Sequence, residues 1–289
     1  MKPMLAVEAG DLKALQYPLF ASTKLDGLRA VITPEGPKTR SLKPIPNKYV
    51  ARMLATLPAG LDGELAVLDA KGNVDFRATT SAIRKEDGEP NFVFFVFDNF
   101  LRQASFKERI KTFSTQSLPY WCRVVTQWRV DGPDDVEELF EFVLKKGYEG
   151  LILRDPDGAY KHGRSTLKEQ GMLKVKPWAD AEAIIIDILP EYENQNEAKT
   201  NELGRTHRSS AQAGKVQREA LGVMVVQSDK WKDTFEIGTG FTRADKEDFW
   251  SRRTDLIGET IRFSYVTVGG YDKPRHASFQ GFRMKEDMS

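Results

Sequence analysis

The chain has 289 residues, of which 40% are hydrophobic and 29% charged, and its formal net charge is +1. This composition is that of an ordinary folded protein, and the length allows two domains with a core in each. The near-neutral charge predicts that any polyanion binds to a local patch rather than to the surface as a whole. Cys122 is the single cysteine, which excludes a disulfide framework and a cysteine-rich zinc site.

Targeting signals are not evident in the sequence. Residues 1–15 contain no long apolar run and carry acidic residues early, which argues against a signal peptide. No segment approaches the length of a membrane span. We therefore expect a protein of the reducing cytoplasm, with no membrane partner.

Short apolar runs bounded by turn residues predict strands in the first two thirds of the chain. The clearest are residues 27–33, 63–69, 92–98 and 149–155, and the run FVFFVFD at 92–98 is typical of a strand buried on both faces. Residues 133–147 show helical apolar spacing, with proline and acids at the start and lysines and glycine at the end. They predict the clearest helix.

The pattern changes after residue 178. A short helix is predicted at 242–253, with Thr242 as its N-cap. Five strands with one short helix suit a small, partly open barrel of the OB type, and a sandwich fits nearly as well. We place the domains at 1–178 and 179–289. The predicted strands of the second domain are 181–189, 222–228, 234–240, 259–268 and 277–283.

The segment KLDGLR, which begins at Lys24, permits two interpretations. Asp26 and Gly27 form a favoured hairpin pair, in which case Lys24 and Arg29 are solvated strand ends. Alternatively, Lys24 is a nucleophile, because a lysine amine can form a covalent catalytic intermediate. The segment by itself leaves both interpretations open.

Four further segments place polar or aromatic residues near the ends of predicted strands. Taken singly, each is explained by a turn, a core aromatic residue or a solvated strand face. Side chains on a strand alternate between its faces, so the two lysines of the last segment share one face. The segments are LDGEL with Asp62 and Glu64, FVFD with Phe97, EGLILR with Glu149, and LKVKPW with Lys174 and Lys176.

In this order, KLDGLR and the four segments resemble the motif series of the covalent nucleotidyltransferases. That superfamily contains ATP-dependent DNA ligases, RNA ligases and mRNA capping enzymes. The segments YKHGRSTLKEQGMLKVK, NELGRTHRSSAQAGKV and PRHASFQGFR extend the resemblance over nearly the whole chain to the minimal ATP-dependent DNA ligases of viruses, phages and bacteria.

The resemblance implies an α+β fold. An N-terminal nucleotidyltransferase domain, ATP-grasp-like and built of antiparallel sheets and helices, would precede a C-terminal OB-fold β-barrel. Residues 191–220 would form an inserted DNA-binding hairpin, which in these ligases is called the latch. The implied partner is nicked duplex DNA, encircled by a monomer that acts as a clamp, in the host cytoplasm if the protein is phage-encoded.

The implied reaction seals a nick between a 3′-hydroxyl and a 5′-phosphate through lysyl-AMP and DNA-adenylate intermediates. Lys24 would attack the α-phosphate of the co-substrate ATP. A free lysine has a pKa near ~10.4, so such a nucleophile must be deprotonated by desolvation or by cationic neighbours. Lys174 and Lys176 would also neutralise the α-phosphate. Glu64 and Glu149 would hold Mg²⁺ or Mn²⁺.

The resemblance assigns further residues to ATP and to DNA. Asp26 would orient the catalytic loop or assist the later steps, Arg29 would contact the AMP ribose or the nick, and Phe97 would stack on adenine. The family's C-terminal motif commonly ends in Asp-Lys, whereas this chain has Lys285-Glu286. The remaining expected ATP ligands are Ser22, Thr23, Arg275 and Arg283, and the expected DNA ligands are Arg40, Arg164, Lys199, Arg205, Arg208, Lys215 and Arg218.

Other functions are compatible with some or all of these motifs. An RNA ligase or a capping enzyme would share the nucleophile, although the latch-like segment and the full-length similarity favour DNA. A nucleic-acid-binding relative with an inactive catalytic domain is disfavoured by the intact lysines and glutamates. An NAD-dependent bacterial ligase would need an additional domain and a cysteine-rich zinc module, which one cysteine cannot supply.

Overall fold

The computed structural model describes residues 2–114, 117–266 and 273–283, so Lys285 lies outside the described residues. The chain divides into two compact units, Met1–Lys176 and Pro177–Ser289. In the part of the chain that is described, no helix is long and apolar enough to cross a membrane.

In the first unit, the described residues form ten strands and four helices. The strands are β1 (Val7–Glu8), β2 (Leu19–Thr23), β3 (Leu28–Thr33), β4 (Gly36–Thr39), β5 (Leu61–Ala66), β6 (Val93–Asn99), β7 (Cys122–Val124), β8 (Trp128–Val130), β9 (Leu151–Arg154) and β10 (Leu173–Val175). The helices are α1 (Lys48–Leu54), α2 (Phe76–Arg84), α3 (Phe106–Lys111) and α4 (Pro133–Lys145), with 3₁₀ turns at Leu12–Ala14 and Thr112–Ser114.

The ten strands form two five-stranded sheets. The first sheet has the order β1-β10-β9-β2-β8, and the second has the order β4-β3-β5-β6-β7. Most neighbours are antiparallel, but β1 pairs with β10 and β6 with β7 in parallel. The α+β class with mainly antiparallel sheets is therefore confirmed, and one edge of each sheet is parallel.

Each sheet buries one face in a core of its own. Helix α4 buries Val136 and Val143 in the core of the first sheet, and it ends two residues before the predicted end at residue 147. Pro133 begins this helix, where its missing N–H costs no hydrogen bond. In the second sheet, Phe94 and Leu65 are fully buried in a larger core.

Strands β2 and β3, on either side of KLDGLR, do not pair. Strand β2 belongs to the first sheet and β3 to the second, so the hairpin interpretation of this segment is wrong. The residues between them cross from one sheet to the other. Asp26-Gly27 is a local turn signal, and it carries no information about which sheet the next strand joins.

Within the described part of the second unit, residues 177–266 and 273–283, there are seven strands and two short helices. Its main sheet has the order β15-β14-β11-β16-β17, and β12 and β13 form a separate two-stranded sheet. The strands are β11 (Trp178–Asn194), β12 (Ala198–Thr200), β13 (Thr206–Arg208), β14 (Lys215–Gln227), β15 (Phe235–Ile237), β16 (Thr260–Val266) and β17 (Arg275–Phe282), and the helices are α5 (Arg243–Ser251) and α6 (Arg253–Leu256).

The main sheet of this unit is strongly curved. The Phe279 N–H in one edge strand donates to the Thr239 carbonyl, just after the other edge strand, at 3.0 Å. One sheet whose edges approach each other fits the predicted partly open barrel, and the sandwich alternative is wrong for the residues described. Thr242 caps α5 as predicted, since its side chain accepts from the Asp245 N–H.

The polar stretch after residue 190 is an extended hairpin rather than a loop. Strands β11 and β14 continue their antiparallel ladder beyond the core as far as the pair Asn194 and Lys215. Beyond that pair, β12 and β13 form a smaller hairpin, with Ala198 opposite Arg208. The hairpin predicted by resemblance is therefore present, and its DNA-binding role stays a prediction.

Three buried charged residues, which we call the Asp98 cluster, connect the two sheets of the first unit. Asp98 is on β6 and accepts from Arg109 of α3 at 2.6 and 3.1 Å. Arg154, at the end of β9 in the other sheet, lies 2.7 Å from the same carboxylate. Burial alone would raise the pKa of Asp98, but the charges of Arg154 and Arg109 hold it below its ordinary value.

We expect Asp98→Asn to lower the free energy of unfolding by about 3–5 kcal/mol, because it leaves two buried guanidinium groups without their counter-charge. Urea denaturation followed by circular dichroism measures this. Glu141→Gln is the control: Glu141 pairs with Lys145 at 3.3 Å on an exposed helix face, and such pairs contribute about 0–1 kcal/mol. Equal, small effects of both substitutions would contradict a linking role for the cluster.

Candidate active site

Lys24 lies directly after β2, where the chain leaves the first sheet. Its backbone N–H donates to the Gly150 carbonyl at 2.8 Å, which continues the pairing of β2 with β9 by one step. On the same sheet, Ser22 is opposite Ile152, and Ile152 is opposite Lys174. Directly opposite residues share a face, so Ser22 and Lys174 lie on one face of the sheet.

Glu149 joins Lys24 to Lys176. The Lys24 Nζ lies 2.5 Å from Glu149 Oε2, and the Lys176 Nζ lies 2.6 Å from Glu149 Oε1. The side chains of Glu149 and Lys176 are 2% and 7% exposed, whereas that of Lys24 is 21% exposed. One buried carboxylate thus holds two ammonium groups, and the partly exposed one belongs to the predicted nucleophile.

Lys174 has a different partner, which the sequence did not indicate. Its Nζ lies 2.8 Å from Glu8 Oε1, and Glu8 is directly opposite Lys174 in the parallel pair of β1 and β10. The two lysines of LKVKPW were predicted to act together on the α-phosphate, and in the structure they pair with different carboxylates. No local pattern marks Glu8, because its pairing depends on a strand 166 positions away in the chain.

Two glycines allow the backbone to pass closely at this site. A Cβ on Gly150, whose φ is +145°, would lie 2.1 Å from the Val175 carbonyl oxygen. A Cβ on Gly27 would lie 2.3 Å from the Leu65 carbonyl oxygen. Neither position can hold a side chain without displacing a strand, and both glycines belong to the motifs that were selected from the sequence.

The second sheet contributes an arginine, an aspartate and an aromatic ring. Arg29 donates to both carboxylate oxygens of Asp62, at 2.7 and 2.6 Å. Its guanidinium carbon lies 5.0 Å from the centroid of the Phe97 ring, within cation–π range. Glu64 is directly opposite Arg29 on the neighbouring strand. Arg29 is therefore fixed over one face of the Phe97 ring, and this ring was predicted to stack on adenine.

The two glutamates of the site have opposite pKa shifts. Burial disfavours the ionised form of Glu149, but the charge of Lys24 and the hydrogen bond from Lys176 outweigh it, so its pKa is lowered. Burial raises the pKa of Glu64 to about 7, although the charges of Arg29 and Lys24 act in the opposite direction. At neutral pH Glu149 is ionised, and Glu64 is divided between its two forms.

A metal ion would find carboxylate oxygens here but no complete ligand set. Among the residues that the structure describes, no group of three or more His, Cys, Asp or Glu side chains is arranged to hold a metal. Mg²⁺ commonly takes one or two carboxylates and completes its shell with phosphate oxygens and water. Glu64 and Glu149, both within the electrostatic influence of Lys24, fit that donor set.

The other predicted ATP ligands are divided between the two units. Ser22 is buried at the end of β2, and Thr23 follows it. Asp26 lies in the crossing segment, where its charge contributes to the raised pKa of Glu64. In the second unit, the Arg283 Nε donates to Glu182 Oε1 at 2.6 Å. Arg275 begins β17 and is half-buried.

The predicted DNA ligands are exposed or partly exposed. Arg40 lies in an exposed turn, and the Arg164 Nη1 donates to the Ala6 carbonyl at 3.0 Å. In the hairpin, acidic and basic side chains pair locally: Lys199 with Glu197 at 3.6 Å and Arg218 with Glu193 at 2.9 Å. Three further side chains belong to this set: Arg205 is exposed, Arg208 is exposed and contacts the Asn196 carbonyl, and Lys215 is partly exposed.

Comparison with known proteins is consistent with this geometry. Residues 3–176 match the ATP dependent DNA ligase domain family, and residues 213–283 match the DNA ligase OB-like domain family. A probable DNA ligase of Beutenbergia cavernae is 28% identical over 215 residues, which cover 65% of this chain and 41% of that protein. The DNA ligase of Enterobacteria phage T3 is 30% identical over 165 residues, which cover 57% of this chain and 41% of that protein.

The chain therefore spans about two fifths of the length of these curated relatives. A solved structure matches it over nearly its full length. The crystal structure of the Chlorella virus DNA ligase-adenylate is similar with a TM-score of 0.55 and 28% identity, covering 98% of this chain and 99% of that one. Because the ATP dependent DNA ligase domain matches more than half of the residues, the chain belongs to the ATP-dependent DNA ligase family.

Proposed function

We propose that this chain is an ATP-dependent DNA ligase that seals nicks in duplex DNA through a lysyl-AMP intermediate formed on Lys24. The observation that supports this most directly is the contact of Lys24 with Glu149, which also binds Lys176. Covalent transfer through a lysine uses an amine that can reach its substrate, with a second cation near the phosphate, and Lys24 and Lys176 offer these two groups around Glu149.

In the first step, Lys24 Nζ attacks the α-phosphorus of ATP. A P–N bond forms, the bond to the β-phosphate oxygen breaks, and pyrophosphate leaves. Lys24 donates to Glu149 at 2.5 Å in the structure, so the ammonium must leave this contact and lose its proton before the attack. Lys176, which stays on the other oxygen of Glu149, retains a positive charge next to the phosphate.

In the second and third steps, AMP moves from Lys24 to the 5′-phosphate of the nick, and the 3′-hydroxyl then displaces it. Each step exchanges one bond at phosphorus, so catalysis depends on positioning and on neutralising charge. Lys174 and Arg29 would supply cations to these steps. Arg164 and Arg40 would bind the 5′-phosphate, for which the planar guanidinium is suited.

Glu64 and Glu149 would hold Mg²⁺, or Mn²⁺ in its place. The ion would withdraw negative charge from the phosphate oxygens when bound. Phe97 offers an aromatic face to adenine, and Arg29 limits the side from which the base can approach that ring. Arg275 and Arg283 would orient the pyrophosphate during the first step.

We expect Lys24→Ala to abolish the covalent AMP adduct but to retain part of the sealing of a nick that is already adenylylated, because Lys24 does not attack in the third step. Radiolabelled ATP and a denaturing gel detect the adduct. Lys24→Arg is the matched variant: it keeps a cation beside Glu149 but cannot form the same intermediate. A labelled adduct in either variant would remove Lys24 from its proposed role.

We expect Arg283→Ala to slow the reaction with ATP at least tenfold while changing the sealing of a pre-adenylylated nick little, because pyrophosphate is absent after the first step. Single-turnover rates of both reactions measure this. Glu182→Gln, which removes the carboxylate partner of Arg283 but keeps the arginine, should leave both rates near wild type. Equal losses in both reactions for Arg283→Ala would instead indicate a role in the fold or in DNA binding.

The hairpin can be removed at a defined point. Because Asn194 and Lys215 form the last pair of the long ladder, a Gly-Ser linker in place of residues 195–214 leaves the main sheet intact. We expect this variant to form the AMP adduct at the wild-type rate and to bind and seal nicks weakly. Its affinity for nicked DNA should also depend less on salt, because each lost phosphate contact changes the slope of log affinity against log salt concentration by roughly 0.9.

Nick affinity measured over a salt series tests this expectation. Lys232→Ala is the control, since Lys232 is an exposed residue of the same unit outside the hairpin. An unchanged slope together with unchanged affinity would show that the hairpin does not bind DNA.

Nicks with RNA on either side of the break, assayed in parallel, measure whether the enzyme acts on RNA.

A further inference from the structure

We propose that Tyr160 is a positioning residue for Arg29 and that it acts through the carboxylate of Asp62; this rests on the proposed ligase function. The Tyr160 hydroxyl donates to Asp62 Oδ2 at 2.6 Å. The same oxygen accepts from Arg29 Nη2 at 2.6 Å, and the Arg29 Nε donates to Asp62 Oδ1 at 2.7 Å. Tyr160 and Arg29 therefore share one carboxylate.

Because the shared carboxylate is buried, its orientation depends on the hydrogen bonds from Tyr160 and Arg29. The side chain of Asp62 is 0% exposed and that of Arg29 is 11% exposed, so water contributes little to holding the carboxylate. Hydrogen bonds to a buried carboxylate fix its orientation, and the loss of one costs more than it would at the surface. The orientation of Asp62 determines where it holds the guanidinium of Arg29.

Tyr160 is itself fixed by the surrounding scaffold. Its hydroxyl accepts from the Met4 N–H at 3.0 Å, and its ring lies 6.0 Å from that of Phe100 and 5.8 Å from the guanidinium of Arg109 in the Asp98 cluster. Burial and the charge of Asp62 raise the pKa of Tyr160, so the hydroxyl remains a donor at neutral pH. The hydroxyl is thus a stationary donor to Asp62.

The arginine that Tyr160 positions faces the proposed nucleotide site. Arg29 lies 5.0 Å from the Phe97 ring and directly opposite Glu64. Tyr160 comes from the segment between β9 and β10, which also contains Arg164. The hydroxyl therefore connects the segment proposed to bind the nick phosphate with the arginine proposed to contact AMP or the nick.

Tyr160→Phe tests the proposal because it removes the hydroxyl and keeps the ring. We expect the rate of AMP-adduct formation at limiting ATP to fall about tenfold, the effect of losing a hydrogen bond to a charged group. The matched control is Tyr17→Phe. In the wild-type protein the Tyr17 hydroxyl, which lies in the same unit, donates to the Leu12 carbonyl at 3.1 Å. This control should react at the wild-type rate.

A double variant separates positioning from a general structural effect. If Tyr160 acts through Arg29, then Tyr160→Phe combined with Arg29→Lys should be no slower than Arg29→Lys alone. Fold-changes that multiply in the double variant would overturn the proposal, because they would mean independent effects. A wild-type rate for Tyr160→Phe would overturn it as well.

A second measurement does not depend on activity. The exchange of the Arg29 Nε–H with water, followed by NMR and assigned through its loss in Arg29→Lys, should accelerate at least fivefold in Tyr160→Phe and stay unchanged in Tyr17→Phe. Equal exchange in both tyrosine variants would overturn the positioning role. If the wild-type protein forms no adduct, the proposed ligase function fails, and the exchange rates still decide the role of Tyr160.

Discussion

The buried contact between Asp98 and Arg154 determines the spacing of the two sheets between which Lys24 lies. Asp98 belongs to β6 of the second sheet and Arg154 to β9 of the first, and both side chains are almost completely buried. If one sheet moved relative to the other, Asp98 and Arg154 would separate, and separating opposite charges in the protein interior is costly. The candidate site needs this constraint, because Lys24 comes from one sheet and Arg29 from the other.

The cations of the site are paired with carboxylates, and one carboxylate is shared by two of them. Lys174 has Glu8, Arg29 has Asp62, and Glu149 is shared by Lys24 and Lys176. Glu64 adds less than a full negative charge at neutral pH, because its pKa is raised to about 7. A triphosphate entering the site must compete with these carboxylates for the cations. The triphosphate competes most favourably at Glu149, because this single carboxylate is shared by two ammonium groups.

Local sequence signals predicted the elements whose determinants are local. Helix α4 was predicted within two residues at its C-terminal end, because its proline, its acids and its apolar spacing act within one element. The cap at Thr242 was predicted for the same reason. The motif segments likewise pointed to Lys24, Glu149 and Lys176, which the structure brings into contact.

Pairings between distant segments were not predictable in this way. Asp26-Gly27 signals a turn, yet β2 and β3 on either side of it join different sheets, because the strands available for pairing are decided by the rest of the fold. Glu8 and Tyr160 escaped notice for a related reason. Each acquires its role from a partner about 100 or more positions away, and a lone glutamate or tyrosine in a polar segment has no distinguishing spacing.

The hairpin of the second unit shows how composition and structure can appear to disagree. Its residues are polar and nearly balanced in charge, which is typical of a flexible loop, but β11 and β14 extend their ladder beyond the core and impose an ordered hairpin. Within it, Glu193 and Glu197 pair with Arg218 and Lys199. A duplex would have to replace these exposed carboxylates as partners of the basic side chains. Exposed pairs are weak, so that exchange would cost little, and a chain with a net charge of +1 could still offer a positive surface to the proposed duplex along the hairpin.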